Sequence, residues 1–242
     1  MNGFAAKRLT YVSLFSYYIF KYINYMKSLR ESLLDDDLID KTDKMIKDEI
    51  KAFLKENYKG SIKISNKPNA DGNYKVSSTK NVEVKNKNIT SLTNGAFIWT
   101  TVDGSFIVEY CNYLKSLEGA PKKVGGNFNC DYNKSLKSLK GVPKEVNGDF
   151  NCCSCDALIS LDSAPKEVGG DFDCSGCIHL ESLDGAPEKV GGGFYCIKCK
   201  SLKTLEGASQ IVNGNFYCYN CASKFTIEDV KKVSNVKGEI KC

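Results

Sequence analysis

From Val102 onward the apolar and polar positions recur on a fixed period. The pentapeptide LEGAP at Leu117 returns as LKGVP at Leu139, LDSAP at Leu161, LDGAP at Leu183 and LEGAS at Leu205, each start 22 residues after the last. The units open at Val102, Val124, Val146, Val168 and Val190; a sixth opens at Val212, breaks its pattern at Lys224, and a seventh fragment, VKGEIKC, follows from Val236. A fixed period without drift predicts stacked coils. Within one coil, Phe128 and Cys130 alternate with Asn127, Asn129 and Asp131, so a period of two turns the first pair inward. Val124, Leu136, Leu139 and Val142 close the apolar ring from its other sides.

Carried along the array, this pattern predicts a core of Phe128, Cys130, Leu136 and Leu139; Phe150, Cys152, Cys155, Leu158 and Leu161; Phe172, Cys174, Cys177, Leu180 and Leu183; and Phe194, Cys196, Cys199, Leu202 and Leu205. At the strand spacing of about 4.8 Å, six or seven coils stack into a rod about 30 Å long. No coil buries its own ring, so both ends need caps. Every unit has glycine at its third position (Gly104, Gly126, Gly148, Gly170, Gly192, Gly214, Gly238), which marks a bend needing positive φ or close backbone contact.

Upstream the period changes. Lys41 to Tyr58 reads as a helix with Ile46, Ile50, Phe53 and Leu54 on one face and Thr42 or Asp43 capping its start. A shorter helix over Ser28 to Leu34 would end at Asp35-Asp36-Asp37. SIKISNKPNADGNYKVSS reads as a hairpin with strands near Ser61 to Ser65 and Asn73 to Ser77 and a turn at Pro68 to Gly72. VEVKNKNITSL then places Val82, Val84, Ile89 and Leu92 inward in an atypical first coil. Near the other end, TIEDVKKVSN predicts a short capping helix over 226–235 that starts with Thr226 and Asp229. The expected organisation is 1–25 as an upstream extension or an export or anchor segment, 26–60 helical, 61–101 hairpin and first coil, and 102–242 the solenoid.

The pattern V-x-G-x-F-x-C-x-x-C-x-x-L-x-x-L-x-G-A-P resembles the leucine-rich repeat family, with Phe and the first Cys in strand positions and the second Cys, or Asn133, in the ladder position. The resemblance implies an α+β chain: a right-handed parallel β solenoid of leucine-rich-repeat type with a small helical and hairpin N-terminal cap. It further implies that the ladder residue points inward and ties a loop carbonyl or amide. The short strand, the glycine in every unit and the lack of a long outer helix depart from the family. The wording SLEGAPKEVGGDFDCSGC, held here as near-copies, is also similar to repeat proteins encoded by large tailed bacteriophages of gut bacteria, which bring no activity with them.

Charge adds little: the chain carries a formal +5, and setting aside Lys7, Arg8 and Lys21 leaves +2 from Met26 on. Lys and Glu are interspersed without a basic run, which argues against nucleic acid. The opening MNGFAAKRLTYVSLFSYYIFKYINY has no acidic residue. As a signal peptide it lacks a cleavage site, and as a membrane span it is interrupted by Lys21. The third reading starts translation at Met26. A membrane is therefore expected only if 1–25 is a genuine anchor.

The twelve cysteines admit three readings. Cys174-x-x-Cys177 followed by Cys196-x-x-Cys199 has the spacing of a four-thiolate zinc site, and Cys218 and Cys221 repeat it. Yet the same slots hold Val108 and Cys111 in one unit and Cys130 and Asn133 in another, which suits small buried side chains better than ligands. Disulfides between stacked cysteines meet poor geometry. Reduced core thiols, no cofactor and a cytoplasmic setting are expected, with the cell surface or virion as the alternative. His179, the one histidine, is matched by Ser135, Ala157, Ser201 and Ser223, so it reads as a turn residue, and no catalytic motif accompanies it.

The expectation is thus a non-enzymatic module that binds a protein partner through its strand face. The alternatives are a surface or virion-associated adhesin recognising a cell-envelope component, and a metal-stabilised structural protein. Tracing the outward positions toward the C-terminus gives an aromatic and apolar patch of Tyr195, Tyr217, Tyr219 and Ile197, flanked by Asp149, Asp171 and Asp173.

Overall fold

The structure is a computed structural model that describes residues 21–22, 24–29, 36–84 and 87–242. It divides into two compact units. The first comprises the described residues up to Glu56 with Lys63–Val76 and Thr93–Ile98. Its main element is α1 (Asp36–Asn57), on which Ile46, Ile50 and Leu54 are buried as their spacing along one helix face requires. Phe53 packs on Phe97 with ring centroids 5.9 Å apart. The buried Tyr74 lies under the Lys47 ammonium, 5.3 Å from the ring centroid.

The helix starts earlier than the sequence suggests. Thr42 and Asp43 are interior, and the Thr42 hydroxyl donates back to the Leu38 carbonyl at 2.9 Å instead of capping. Residues 36–37 belong to this helix. Residues 24–29 are helical; the rest of the shorter helix expected over 28–34, and most of 1–25, lie outside the described residues. No helix among the described residues is long and apolar enough to cross a membrane.

The second unit comprises Asn57–Ile62, Ser77–Leu92 and Trp99–Cys242, and it is a parallel β-solenoid of about eight turns. β1 (Tyr58–Ile64) pairs with β2 (Tyr74–Val84), and the end of β2 pairs in parallel with β4 (Phe106–Ile107), Val82 opposite Phe106. β3 (Phe97–Val102) starts a second column, with Val102 opposite Val124.

Each following coil adds two strands of two residues. These are β5 (Lys123–Val124) and β6 (Phe128–Asn129), β7 (Glu145–Val146) and β8 (Phe150–Asn151), and β9 (Glu167–Val168) and β10 (Phe172–Asp173). The series continues with β11 (Lys189–Val190) and β12 (Phe194–Tyr195), β13 (Ile211–Val212) and β14 (Phe216–Tyr217), and β15 (Asn235–Val236) and β16 (Ile240–Lys241). Odd strands form a valine column and even strands a phenylalanine column, and both meet at β2. The sequence pattern predicts the phenylalanine column alone; a two-residue strand shows no alternation to detect.

In-register pairing stacks like on like. Phe150, Phe172, Phe194 and Phe216 form a ring ladder with successive centroids 5.6, 5.2 and 4.9 Å apart. Burying each ring contributes about 1.5–3 kcal/mol. Trp99 and Tyr58 close the ladder's first end, their centroids 5.8 and 6.4 Å from Phe106. The Tyr58 hydroxyl donates to the Leu92 carbonyl at 2.7 Å, and burial pushes its pKa above the usual tyrosine value. The leucine and cysteine positions assigned to the core are all buried. Val142, assigned to the ring, is only half-buried, and the neighbouring Pro143 is buried in its place.

The bend glycines are explained by lack of room. None of Gly126, Gly148, Gly170, Gly192 and Gly214 has positive φ. A Cβ on Gly170 would overlap Asp149 Oδ1 and lie 2.9 Å from the Gly148 carbonyl carbon and 3.0 Å from the Asp149 nitrogen, and on Gly148 it would overlap Asn127 Oδ1 and lie 2.8 Å from the Gly126 carbonyl carbon. Stacked backbones approach too closely there for any side chain.

At the far end, α2 (Ile227–Val233) is inserted into a coil. Val212 pairs with Val236, an interval of 24 residues where Val190 to Val212 spans 22. Two extra residues admit the helix without breaking register. Thr226 starts it with a capping box: its hydroxyl accepts from the Asp229 N–H at 3.2 Å, and the Asp229 carboxylate accepts from the Thr226 N–H at 3.1 Å.

Candidate functional site

Three columns of side chains point outward around the phenylalanine strands, at the residue before Phe, the residue after it, and the residue after the first Cys. The first column is a hydrogen-bonded ladder. Ser105 Oγ accepts from the Asn127 N–H at 3.0 Å, Asn127 Oδ1 from Asp149 at 3.0 Å, Asp149 Oδ1 from Asp171 at 2.9 Å, and Asp171 Oδ1 from Gly193 at 2.6 Å. Each rung uses a short side-chain oxygen to satisfy the next coil's backbone donor at a bend where the glycine ahead leaves space. The ladder is interrupted at Gly193, where the Tyr195 hydroxyl occupies the place a side chain would take, and resumes where Asn215 Oδ1 accepts from the Glu239 N–H at 2.9 Å.

This break joins the acidic and aromatic parts of the face. Tyr195 and Tyr217 have centroids 5.5 Å apart, and Tyr217 and Tyr219 6.5 Å. Burial first, then the charges of Asp171, Asp173 and Asp149, raise the Tyr195 hydroxyl pKa. The Tyr217 hydroxyl donates to a Glu239 carboxylate oxygen at 2.6 Å and accepts from the Asn215 amide at 3.1 Å, while the Lys241 ammonium stands 5.4 Å from its ring centroid. The residues named from the sequence, Tyr195, Tyr217, Tyr219, Ile197, Asp149, Asp171 and Asp173, therefore share one face. All seven are half-buried, so the patch is less open than the sequence suggests.

In the third column Asp131 accepts from the Cys153 N–H at 2.6 Å. Its carboxyl pKa is raised to about 6, by burial first and then by the Asp173 and Glu109 charges, against the lowering effect of that hydrogen bond.

The cysteines behave as backbone partners. The thiols of Cys155, Cys177, Cys199 and Cys221 reach the carbonyls of Cys130, Cys152, Cys174 and Cys196 in the coil before, at 3.2, 3.2, 3.4 and 3.0 Å. Asn133, in the same slot, donates through Nδ2 to Val108 O at 2.6 Å and accepts the Cys111 N–H at 2.6 Å. Cys and Asn alternate in this slot because both tie one coil to the previous one. Burial pushes the Cys130 and Cys196 thiols well above the usual range, which suppresses the reactive thiolate. The cysteines are free thiols. Among the described residues no group of three or more His, Cys, Asp or Glu is disposed to hold a metal ion.

No protein-family model, curated protein or solved structure matches the chain.

His179 is exposed, its Nδ1 2.6 Å from the Asp156 carbonyl. The Cys177 thiol is turned inward to Cys152 O, so the two do not form a nucleophile and base. Outside the predicted patch, Tyr110, Tyr132 and Tyr113 are the most exposed tyrosines of the solenoid, at 49%, 41% and 40%. Tyr110 and Tyr132 stack with centroids 4.7 Å apart and rings within 1° of parallel. The repeat places both in a turn, and no alternation pattern reports which way a turn residue faces.

Proposed function

We propose that this chain is a non-enzymatic interaction module of leucine-rich-repeat type, which binds a protein partner through the outward face of its phenylalanine strands. The single observation that carries the proposal is the contrast between columns. Inward positions repeat Phe, Cys and Leu almost unchanged, whereas the outward column runs Asn129, Asn151, Asp173, Tyr195, Tyr217. Stacking alone asks only that an outward residue fit; a change from amide to carboxylate to phenol along one column builds a surface with distinct ends. These tyrosines are half-buried and the Tyr217 hydroxyl is held by Asn215 and Glu239, so the rings are pre-ordered and binding costs them little rotamer freedom. The inward thiols and the turn position of His179 favour binding over catalysis. The resemblance of the repeat to proteins of tailed phages supports action in a bacterial cytoplasm.

The test replaces Tyr195 and Tyr217 together by Ser. The double variant is expected to lose binders selected by the native chain from a displayed library of peptides and small domains, while its melting temperature stays close to native. Retained binding removes the face from the interface. A large drop in melting temperature assigns the rings to cross-strand stabilisation instead.

A further inference from the structure

Resting on that reading of the strand face, we infer that its partner is an extended cationic peptide segment, whose lysine or arginine side chains seat against the tyrosine rings and between the aspartates. Charge complementarity is the first argument. From Ser105 to Lys241 the three outward columns carry Glu109, Asp131, Asp149, Asp171, Asp173 and Glu239, and Lys241 is the one basic residue among them. The chain as a whole has a formal charge of +5, so this face is acidic on an otherwise basic molecule. Such segregation repels phosphate backbones and attracts basic segments.

The second argument is independent of net charge. Lys241 already places an ammonium 5.4 Å from the Tyr217 ring centroid, beside a Tyr217 hydroxyl that donates to Glu239. A phenol face next to a carboxylate is a cation seat, and the protein fills this one with its own lysine. Tyr195 repeats the same composition one coil earlier with Asp171 and Asp173 beside it. Spacing completes the case. Along the stack Asp149 and Tyr217 are three coil intervals apart, about 14 Å, close to the reach of about 13 Å from residue i to i+4 on one side of an extended strand. Cationic side chains at i and i+4 can therefore meet the acidic and the aromatic ends together.

The test is fluorescence anisotropy with the full chain and two labelled decapeptides, one alternating Lys and Ala and one alternating Glu and Ala. The lysine peptide is expected to bind, more weakly as salt rises. Asp171→Asn with Asp173→Asn, and separately Tyr195→Ser, should each weaken binding about tenfold. The Asn substitutions keep an oxygen for the Gly193 and Ser175 N–H groups, and melting curves run alongside check the fold. Tyr195→Phe, which keeps the ring, should bind like the native chain. Glu188→Gln with Glu206→Gln, exposed and away from this face, should change nothing. Equal weakening by the two acidic double variants overturns the inference, because net charge alone would then explain binding. Binding of the glutamate peptide that depends on Tyr195 overturns the cationic partner and leaves the face as an interface. Failure of both peptides to bind in a Tyr195-dependent way overturns both.

Discussion

Two columns of turn residues obey opposite rules. At the bend between the two strands, Gly126, Gly148, Gly170, Gly192 and Gly214 all have φ outside the left-handed region. At the turn after the first cysteine every coil is left-handed, with φ of 58° at Tyr110 and Tyr132, 53° at Ser154, 73° at Gly176, 60° at Lys198 and 61° at Asn220. Conformational preference alone would put glycine at the second site and anything at the first. Gly176 apart, the observed residues are the reverse, because room decides the matter. A Cβ on Gly170 meets both the Asp149 carboxylate oxygen, held there by its hydrogen bond to the Asp171 N–H, and the backbone of the previous coil, which cannot yield. A Cβ on Gly176 meets first a serine hydroxyl, Ser154 Oγ at 2.9 Å, and backbone only at 3.5 Å. When coils stack about 4.8 Å apart, overlap excludes a side chain outright, whereas left-handed strain is a cost of about 1–2 kcal/mol per residue that the fold absorbs.

The largest expected effect tests the steric half of this contrast. Gly170→Ala adds one methyl where Asp149 Oδ1 already stands and Gly148 C lies 2.9 Å and Asp149 N 3.0 Å away, so the Asp149 side chain must leave its rung to Asp171 and the two coils must separate. The expected loss is about 3 kcal/mol or more, at the upper end for overpacking, read as a shift in the urea midpoint at unchanged slope. A loss under about 1 kcal/mol would mean that the coils slide freely and that room is not what keeps glycine there.

The contrast also marks what a sequence can disclose. The 22-residue period and the inward Phe, Cys and Leu columns were legible, since a fixed repeat and the alternation around Phe128 and Cys130 leave one self-consistent inside. The valine strands were not, because Lys123–Val124 and its copies are too short to show a period. The glycine column was visible, but not its cause: positive φ and close approach give the same sequence, and only the distances to Gly148 and Asp149 separate them. At the candidate site the repeat spacing brings the tyrosines into neighbouring columns, while their half-burial and the Glu239 and Lys241 partners depend on the neighbouring coil. Tyr110 and Tyr132 were not legible because they lie in a turn, where no alternation reports which way a side chain faces.

A medium effect asks what costs energy where there is room for a side chain but little water. Asp131 fits its site and accepts from the Cys153 N–H at 2.6 Å, yet burial raises its pKa from 3.8 to about 6. Between those values the folded chain keeps a proton that the unfolded chain releases. This group's contribution is therefore fully present below pH 3.8 and is lost as pH rises through about 6. Asp131→Asn retains the carbonyl oxygen without the charge. Discounted for its partial exposure, the variant should be more stable than the native chain by ~1 kcal/mol at pH 8, with the difference vanishing near pH 4. A pH-independent difference would remove the charge explanation.

The smallest effect isolates left-handed strain. Ser154 and Tyr132 share the same backbone conformation, φ 53° and 58°, but differ in what their side chains gain. Ser154→Gly relieves about 1–2 kcal/mol of strain and gives back about 0.5–1 kcal/mol in unfolded-state entropy, for a net gain of about 0–1.5 kcal/mol. Tyr132→Gly relieves the same strain but loses the ring stacked 4.7 Å from Tyr110, worth about 0.5–1.5 kcal/mol beyond its area, so it should be neutral or destabilising. Paired urea titrations decide between the two accounts. Equal stabilisation by both would mean that φ alone governs this column and that the tyrosine stack adds nothing. Opposite signs would show that the turn column varies freely because its side chains, unlike any at the bend, have space in which to compensate the strain.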